Sequence, residues 1–588
     1  MIYFTITLSL AFIALVTAGD PIVEISQGKL VGKAVEFSHK DVDVRRTVHV
    51  FKGIPYAEPP IGDLRFRPTK AKAAWDGVYD ATYFRSICIQ PAHPLFPVNG
   101  QQDEDCLFLN VYAPQLTSAK LPVMLFLHGG VFIVGSGTYH YEGTALAAIG
   151  DVIVVCINYR LGPFGFFTTG DDNAAGNYAF YDQIAALQWV QENIEAFGGD
   201  PSKVTLLGES AGSISSEYLM MSPLTEGLFQ RIIMQSATST FVGFHGKAGD
   251  FHHKMAHGLG KLLGCDRETS EELVQCLRTV PAEDFRNATD PTLGLLAQFI
   301  GYGTPFPPVV DGTLVTVDPV DFIREKMLKK RNLDIMIGST ADEGSVYLLT
   351  VRPSALNEST VSMNRSVYET AYPMFLPGPL RNNPAVLDAV KLMYVNWEEA
   401  DNDEADYLDA FFQMGTDHGF TCPADVSARS YSQAGANVYL YIMTHVPARS
   451  IWRLKWMRAA HAEDLPLLFG WHFSFWEDWT MPPEDVEMSL KVMKYWTNFA
   501  KTGNPNQCCD DAEVSEEDKP EAWPLFKVPG LAYKELSLEM NTKYGLKARE
   551  CAMWNDFIPK LLKHTDTNIV CSARDDETKK YTEEGNRP

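Results

Sequence analysis

The chain has 588 residues, 46% of them hydrophobic and 21% charged, a globular balance that excludes overall disorder and leaves ample apolar content for a large core. Its formal net charge is −24 and its pI is about 5.0. Such a field repels phosphate backbones, so nucleic acid is not an expected partner, while solubility and attraction of cations are.

Residues 1–18, MIYFTITLSLAFIALVTA, form an apolar run too short and too terminal for a membrane span, and Val16-Thr17-Ala18 fits the small-residue rule for signal cleavage. Cleavage after Ala18 is expected; because no Lys or Arg precedes Lys29, an uncleaved anchor is the alternative. Nothing later approaches eighteen uninterrupted apolar residues, so no membrane span is expected. Residues 21–56 alternate short apolar runs with turns, as antiparallel hairpins at a sheet edge do. Cys88 and Cys106 flank a Pro-rich loop, and Cys265 and Cys276 a short helical segment. Either closure would restrict the unfolded chain by about 2–4 kcal/mol, but spacing alone leaves the connectivity open.

A different rhythm follows. LPVMLFLHGG (121–130), DVIVVCINYR (151–160), KVTLLGES (203–210) and RNLDIMIGST (331–340) are near-continuous apolar runs, the pattern of strands buried on both faces. Cys156 within the second run reads as a buried free thiol. Between them, residues 177–199 set Ile184, Leu187, Val190 and Ile194 at helical spacing. Strand then helix, repeated, predicts an α/β fold: a large, mostly parallel central sheet flanked by helices through right-handed crossovers. Residues 345–460 are richer in helical pattern and are expected to form insertions over the sheet, and 507–523 an acidic surface loop.

Residues 572–588 form a polar tail with neither a retention tetrapeptide nor a hydrophobic anchor signal, which makes secretion the expected address. With no internal repeat and no Gly/Ser linker, residues 19–571 read as a single domain. Ten cysteines and the sequons at Asn287, Asn357 and Asn364 fit an oxidising, glycosylating compartment.

The chemistry centres on GESAG, residues 208–212. A chain this long yields a Gly-x-Ser-x-Gly match by chance about 0.2 times, so context decides. Here the motif follows the strand-like VTLL and precedes a helix-compatible segment, which would place Ser210 on a strained strand-to-helix turn with its hydroxyl exposed. A serine hydroxyl needs a base to take its proton, so a histidine and a carboxylate are required downstream. Of 14 histidines, His461 in RAAHAEDLPLLFG has small residues before it and an apolar segment after it, the setting of a side chain held above a core. Glu343 lies just past the C-terminal end of a buried strand, where sites gather in open α/β sheets, with Asp342 its nearest rival. Taken singly, Glu343 would more often be a cap and His461 a loop residue; together the order Ser, acid, His is that of the α/β-hydrolase arrangement. Upstream, LHGGVF (127–132) follows a strand, and its Gly-rich turn offers backbone N–H groups to an oxyanion.

FKGIPYAEPPIGDLRFRP (51–68), EDCLFLNVYAP (104–114), FGGDPSKVTLLGESAGS (197–213), VVDG (309–312), ADEGS (341–345), YWTNFAKTGNPN (495–506) and CAMWNDFIPKLL (551–562) resemble the type-B carboxylesterase and cholinesterase family, in its order and over nearly the whole mature chain. The resemblance implies Ser210 as nucleophile, His461 as general base then acid, Glu343 as its orienting partner, and an oxyanion hole of the Gly130, Val131 and Ala211 N–H groups. Val131 departs from the glycine or alanine commonly found there; its branched side chain narrows the acyl side or shifts the loop. The family's disulfides map onto Cys88 with Cys106, Cys265 with Cys276 and, as in cholinesterases, Cys422 with Cys551. Cys508, Cys509 and Cys571 are left over with Cys156, so an internal or intermolecular bridge is open, as is homo-oligomerisation.

The loop from Cys88 to Cys106 lacks a tryptophan, and Val346 stands where an aromatic would follow DEGS, so the resemblance carries no cation–π site for a quaternary ammonium. Glu209 beside Ser210 is cholinesterase-like and is read as a residue ordering His461 or a water. The expected function is a secreted, glycosylated serine carboxylesterase acting on a small-molecule ester through an acyl-enzyme, with no metal or organic cofactor implied. A neutral-lipid or sterol-ester hydrolase or a cholinesterase-like enzyme is the alternative within that class. Outside it stands a non-catalytic adhesion-type ectodomain, since the family includes members that have lost catalytic residues.

Overall fold

This computed structural model describes residues 19–92, 99–115, 119–241, 249–289, 306–330, 333–400, 402, 404–450, 453–474, 480–506 and 522–565. Fourteen strands lie among them: β1 (Ile22–Ile25), β2 (Gly28–Val31), β3 (Lys33–His39), β4 (Val42–Pro55), β5 (Val78–Asp80), β6 (Phe108–Pro114), β7 (Leu121–Leu127), β8 (Ile153–Ile157), β9 (Gly199–Glu209), β10 (Arg231–Gln235), β11 (Asp334–Thr340), β12 (Asn437–Met443), β13 (Ala532–Leu536) and β14 (Thr542–Tyr544). Eleven of them form one sheet in the order β14-β13-β12-β11-β10-β9-β7-β8-β6-β4-β3. From β13 to β8 every neighbouring pair is parallel, and the edges are antiparallel. The α/β architecture expected from the apolar runs is therefore present.

Alternate side chains of each strand feed two cores on opposite faces, because successive residues of a strand point to opposite sides. Val123, Leu125 and Leu127 of β7, with Leu206 of β9, join Ile184, Leu187 and Val190 of the helix Tyr178–Asn193. Met124, Phe126 and Leu207 join Trp496 and Phe499 of the helix Pro483–Thr502. All of these are essentially inaccessible to solvent, and each such large apolar side chain stabilises the fold by about 1.5–3 kcal/mol.

The structure departs from the sequence expectations in two places. β1, β2 and β5 form a separate three-stranded sheet, so only the β3–β4 hairpin edges the main one. The helix-rich stretch 345–460 also contains β12, a central-sheet strand whose run NVYLYIM is buried from its second residue on. The helices before it pack as a third cluster with the C-terminal helix, through Tyr368, Phe411 and Trp554. Among the described residues, no helix is long and apolar enough to cross a membrane.

Candidate active site

The parallel strands β7, β9, β11 and β12 bring their C-terminal ends to one edge of the sheet, and each candidate residue follows one of them. β9 ends at Glu209, and the helix Ala211–Met221 begins two residues later, leaving Ser210 alone at the turn with φ 54° and ψ −120°. Non-glycine residues avoid that backbone region, and such states gather at functional turns. The turn closes only because its flanking residues lack side chains. A Cβ on Gly208 would stand 2.1 Å from the Gly212 carbonyl oxygen, and one on Gly212 would stand 1.9 Å from that of Leu127. The helix N-terminus thus faces Ser210, with the Ala211 N–H among those that have no partner within the helix.

Glu343 and His461 are brought together. Nδ1 of His461 lies 2.5 Å from Oε2 of Glu343. The other Glu343 oxygen accepts from the Ser236 hydroxyl at 2.6 Å and from the Thr340 N–H at 2.7 Å, so the carboxylate is fixed on both sides in full burial. Asp342 turns away: it pairs with the Arg458 guanidinium at 2.9 Å. The loop leading to His461 is tied to the end of β11 by the Asp342 N–H donating to the Ala459 carbonyl at 2.9 Å. Ser236 was not legible beforehand, since nothing in its sequence neighbourhood distinguishes a hydroxyl aimed at a carboxylate 107 residues away.

The opposite ring nitrogen meets Glu209, the residue expected to order His461 or a water. Nε2 of His461 lies 3.2 Å from Oε1 of Glu209, yet the contact is not aligned as a hydrogen bond, and that oxygen has no donor. Among the described residues no hydrogen bond joins the Ser210 hydroxyl to His461; catalytic contacts of this kind are often loose before substrate binds and tighten with it. Burial pushes Glu209 up, with Asp464 and Glu343 adding to the shift against the pull of His461, to about 8. Burial pushes His461 down, but the charges of Glu209 and Glu343 together outweigh it and raise the imidazole to about 9. Asp464, which accepts from Gln235 at 2.6 Å and from the Tyr441 hydroxyl at 3.1 Å, is raised by burial to about 6. The imidazole therefore sits in a buried, carboxyl-rich environment that favours its cation.

The turn after β7 abuts the same serine: a Cβ on Gly129 would lie 2.9 Å from Cβ of Ser210. Gly130 has φ 108°, Val131 φ 56° and Phe132 φ 61°, and the Gly130 carbonyl accepts from the Ile133 and Val134 N–H groups at 2.9 and 3.0 Å. The N–H groups of Gly130 and Val131 have no acceptor among the described residues. Beneath them His128 stacks on Tyr159 with centroids 4.3 Å apart, and burial pushes its ring down to about 4, so it is a neutral support. Aromatic rings stand beside the imidazole: Phe420 is 5.1 Å from His461, and Phe241 is 5.4 Å from Phe420. A small cavity beside the first disulfide borders none of these residues, and its charged walls are already paired, Arg65 with Glu104 at 2.5 Å and Arg160 with Asp182 at 2.8 Å.

Cys88–Cys106, Cys265–Cys276 and Cys422–Cys551 are bonded, and Cys156 is a buried free thiol. Cys508, Cys509, Cys571, the leader 1–18 and the tail 572–588 lie outside the described residues. Asn287, Asn357 and Asn364 are exposed.

Away from the serine, His39, Asp41 and His472 bring three ligand atoms within 4.8 Å of one another. His472 Nδ1 accepts from the Met481 N–H at 3.1 Å, so the ring proton sits on Nε2 and is donated to Asp41 at 2.7 Å. A metal at Nε2 would displace that proton and leave an imidazolate, because Nδ1 is already committed as an acceptor. The cluster is a hydrogen-bonded clasp between the β3–β4 turn and residues 471–473.

Residues 19–554 match a family model described as the carboxylesterase family. Neuroligin-2 of Mus musculus is 34% identical over 593 aligned residues, covering 92% of this chain and 68% of that protein. Neuroligin-2 of Homo sapiens matches to the same extent. Acetylcholinesterase of Bungarus fasciatus is 34% identical over 541 residues, covering 88% of this chain and 84% of that protein.

Proposed function

The chain belongs to the carboxylesterase family, and from that premise we propose that it is a secreted, glycosylated serine carboxylesterase with residues 19–571 as one catalytic unit. The observation that carries the reading is the buried Glu343–His461 contact of 2.5 Å at the sheet edge where Ser210 occupies a strained elbow. In this reading His461 takes the Ser210 proton as the hydroxyl attacks the ester carbonyl. The Gly130, Val131 and Ala211 N–H groups receive the oxyanion, a contribution of about 3–4 kcal/mol per donor in such sites. His461 then gives its proton to the departing alcohol, and water, activated by the same imidazole, releases the acid. Glu343 holds the ring orientation throughout. Three disulfides and exposed sequon asparagines support an extracellular address.

Identity does not choose between an esterase and an adhesion-type ectodomain, because the neuroligin and acetylcholinesterase relatives are equally similar at 34%. The residues favour the enzyme, since serine, histidine and glutamate are all present. Choline esters are disfavoured, as the loop from Cys88 to Cys106 has no tryptophan and Val346 supplies no aromatic face; neutral-lipid and sterol esters remain the alternative. Incubation with a fluorophosphonate probe should label Ser210, and Ser210→Ala should abolish labelling and lower ester turnover by about 10⁴-fold or more without unfolding the protein. A folded protein that takes no label and hydrolyses no ester across a panel of acyl lengths and alcohol charges would leave the adhesion reading standing.

A further inference from the structure

The helix Asp250–Leu262 carries three histidines that the ester chemistry does not use. Nδ1 of His252 accepts from the Gly249 N–H at 3.3 Å, and its Nε2, though buried without a partner, has no second imidazole four residues away on the helix. His253 and His257 are one helical turn apart, so they leave the same face of the helix, and their ring centroids are 4.3 Å apart with planes at 49°. Among the described residues neither ring has a hydrogen bond or an ion pair, and Nε2 of His257 is buried with no partner. A buried imidazole nitrogen left unpaired costs about 1–3 kcal/mol, a cost that a bound ion at His257 would offset.

We propose that His253 and His257 form a two-imidazole chelate for a divalent transition-metal ion of the Cu²⁺, Ni²⁺ or Zn²⁺ class. Two histidines four residues apart on one helix face are the pair a helix can offer to a single ion, and neutral imidazole suits these borderline metals rather than Mg²⁺ or Ca²⁺. His253 is exposed and gives the ion its entry path, while His257 supplies the sheltered nitrogen. Rings with centroids 4.3 Å apart are near enough for one ion to take metal–nitrogen bonds of about 2.0–2.1 Å from both. The remaining coordination positions are open to water or to an exchangeable ligand. This pair differs from His39–Asp41–His472 in that no backbone N–H already occupies its ring nitrogens. Binding competes with protons for the imidazoles and releases them, so it strengthens as pH rises.

Titration of the full chain with Cu²⁺ by calorimetry, with electron paramagnetic resonance of the loaded protein, tests the site. One ion bound through two imidazole nitrogens is expected. Loss of even an outer partner of a metal ligand costs about 10–100-fold in affinity, so His253→Gln and His257→Gln should each weaken binding by at least about tenfold, while His472→Gln leaves it unchanged. His253→Gln is the decisive variant if His257→Gln disturbs the fold, because His253 is exposed and glutamine keeps helix propensity. Affinity that is the same in wild type and His253→Gln, or that falls only in His472→Gln, overturns the assignment.

Discussion

Nε2 of His461 stands 3.2 Å from Oε1 of Glu209, the residue immediately before Ser210. The imidazole is thereby held between two carboxyl groups, with Glu343 on Nδ1 at 2.5 Å, and is raised to about 9. A base must be unprotonated to accept the serine proton, so the rising limb of kcat/KM against pH is expected above the ~6.5 of an ordinary histidine. Glu209→Gln should move that limb to lower pH. A limb centred at or below 6.5 in the wild type, unmoved in the variant, would contradict the assignment.

The same two groups set a pH dependence of stability. A group whose pKa is raised on folding contributes fully below its unfolded value and loses that contribution as pH climbs through the folded one. Glu209 rises from 4.5 to about 8 and His461 from 6.5 to about 9, so both predict stability falling as the solution goes from pH ~5 to pH ~9. Glu209→Gln cannot ionise and should flatten part of this fall. Denaturant midpoints at pH 5, 7 and 9 give the answer; parallel losses in wild type and variant would exonerate Glu209.

Val131 occupies φ 56°, a region where a β-branched residue is strained by about 1–3 kcal/mol. Glycine there removes the strain at the cost of about 0.5–1 kcal/mol of extra unfolded-chain freedom. Because the Val131 side chain is also partly buried against the core, its removal forfeits part of the roughly 1.5–3 kcal/mol of a buried valine, so Val131→Gly is expected to leave stability within about 1 kcal/mol of wild type and to raise kcat/KM for bulky acyl groups more than for acetate. Destabilisation beyond ~2 kcal/mol with an unchanged acyl profile would be the contrary result.

Cys422–Cys551 closes a sequence separation of 129, and Cys265–Cys276 one of only 11. Chain entropy assigns about 5 kcal/mol to the first and about 3 to the second. Replacing each pair by serine should destabilise in that order, read by equilibrium unfolding. The reverse order would mean that local packing, not loop closure, dominates.

Much of this was legible in the residues. The parallel strands announced themselves because burial on both faces demands unbroken apolar runs, and Gly208 and Gly212 marked the elbow because no larger residue fits beside their neighbouring carbonyls. β12 was hidden in a helix-rich stretch, since a seven-residue apolar run has no periodicity of its own to set against its surroundings. The Ser236–Glu343 bond was not readable at all, whereas Glu209 was expected beside His461 from its place next to Ser210. The Ser236–Glu343 bond depends on side-chain rotamers joining positions more than a hundred residues apart, and no local pattern encodes that distance.

The elbow on β9 leaves the ribosome long before the turn that carries His461. At about 5–20 residues per second, the intervening stretch of roughly 250 residues takes on the order of 10–50 s to synthesise. Throughout that interval the nascent chain holds Ser210 without His461, and nothing that stops at β12 contains that histidine. Under the proposed esterase reading, the site is completed only once the loop beyond β12 has been made, ahead of the two last strands, β13 and β14.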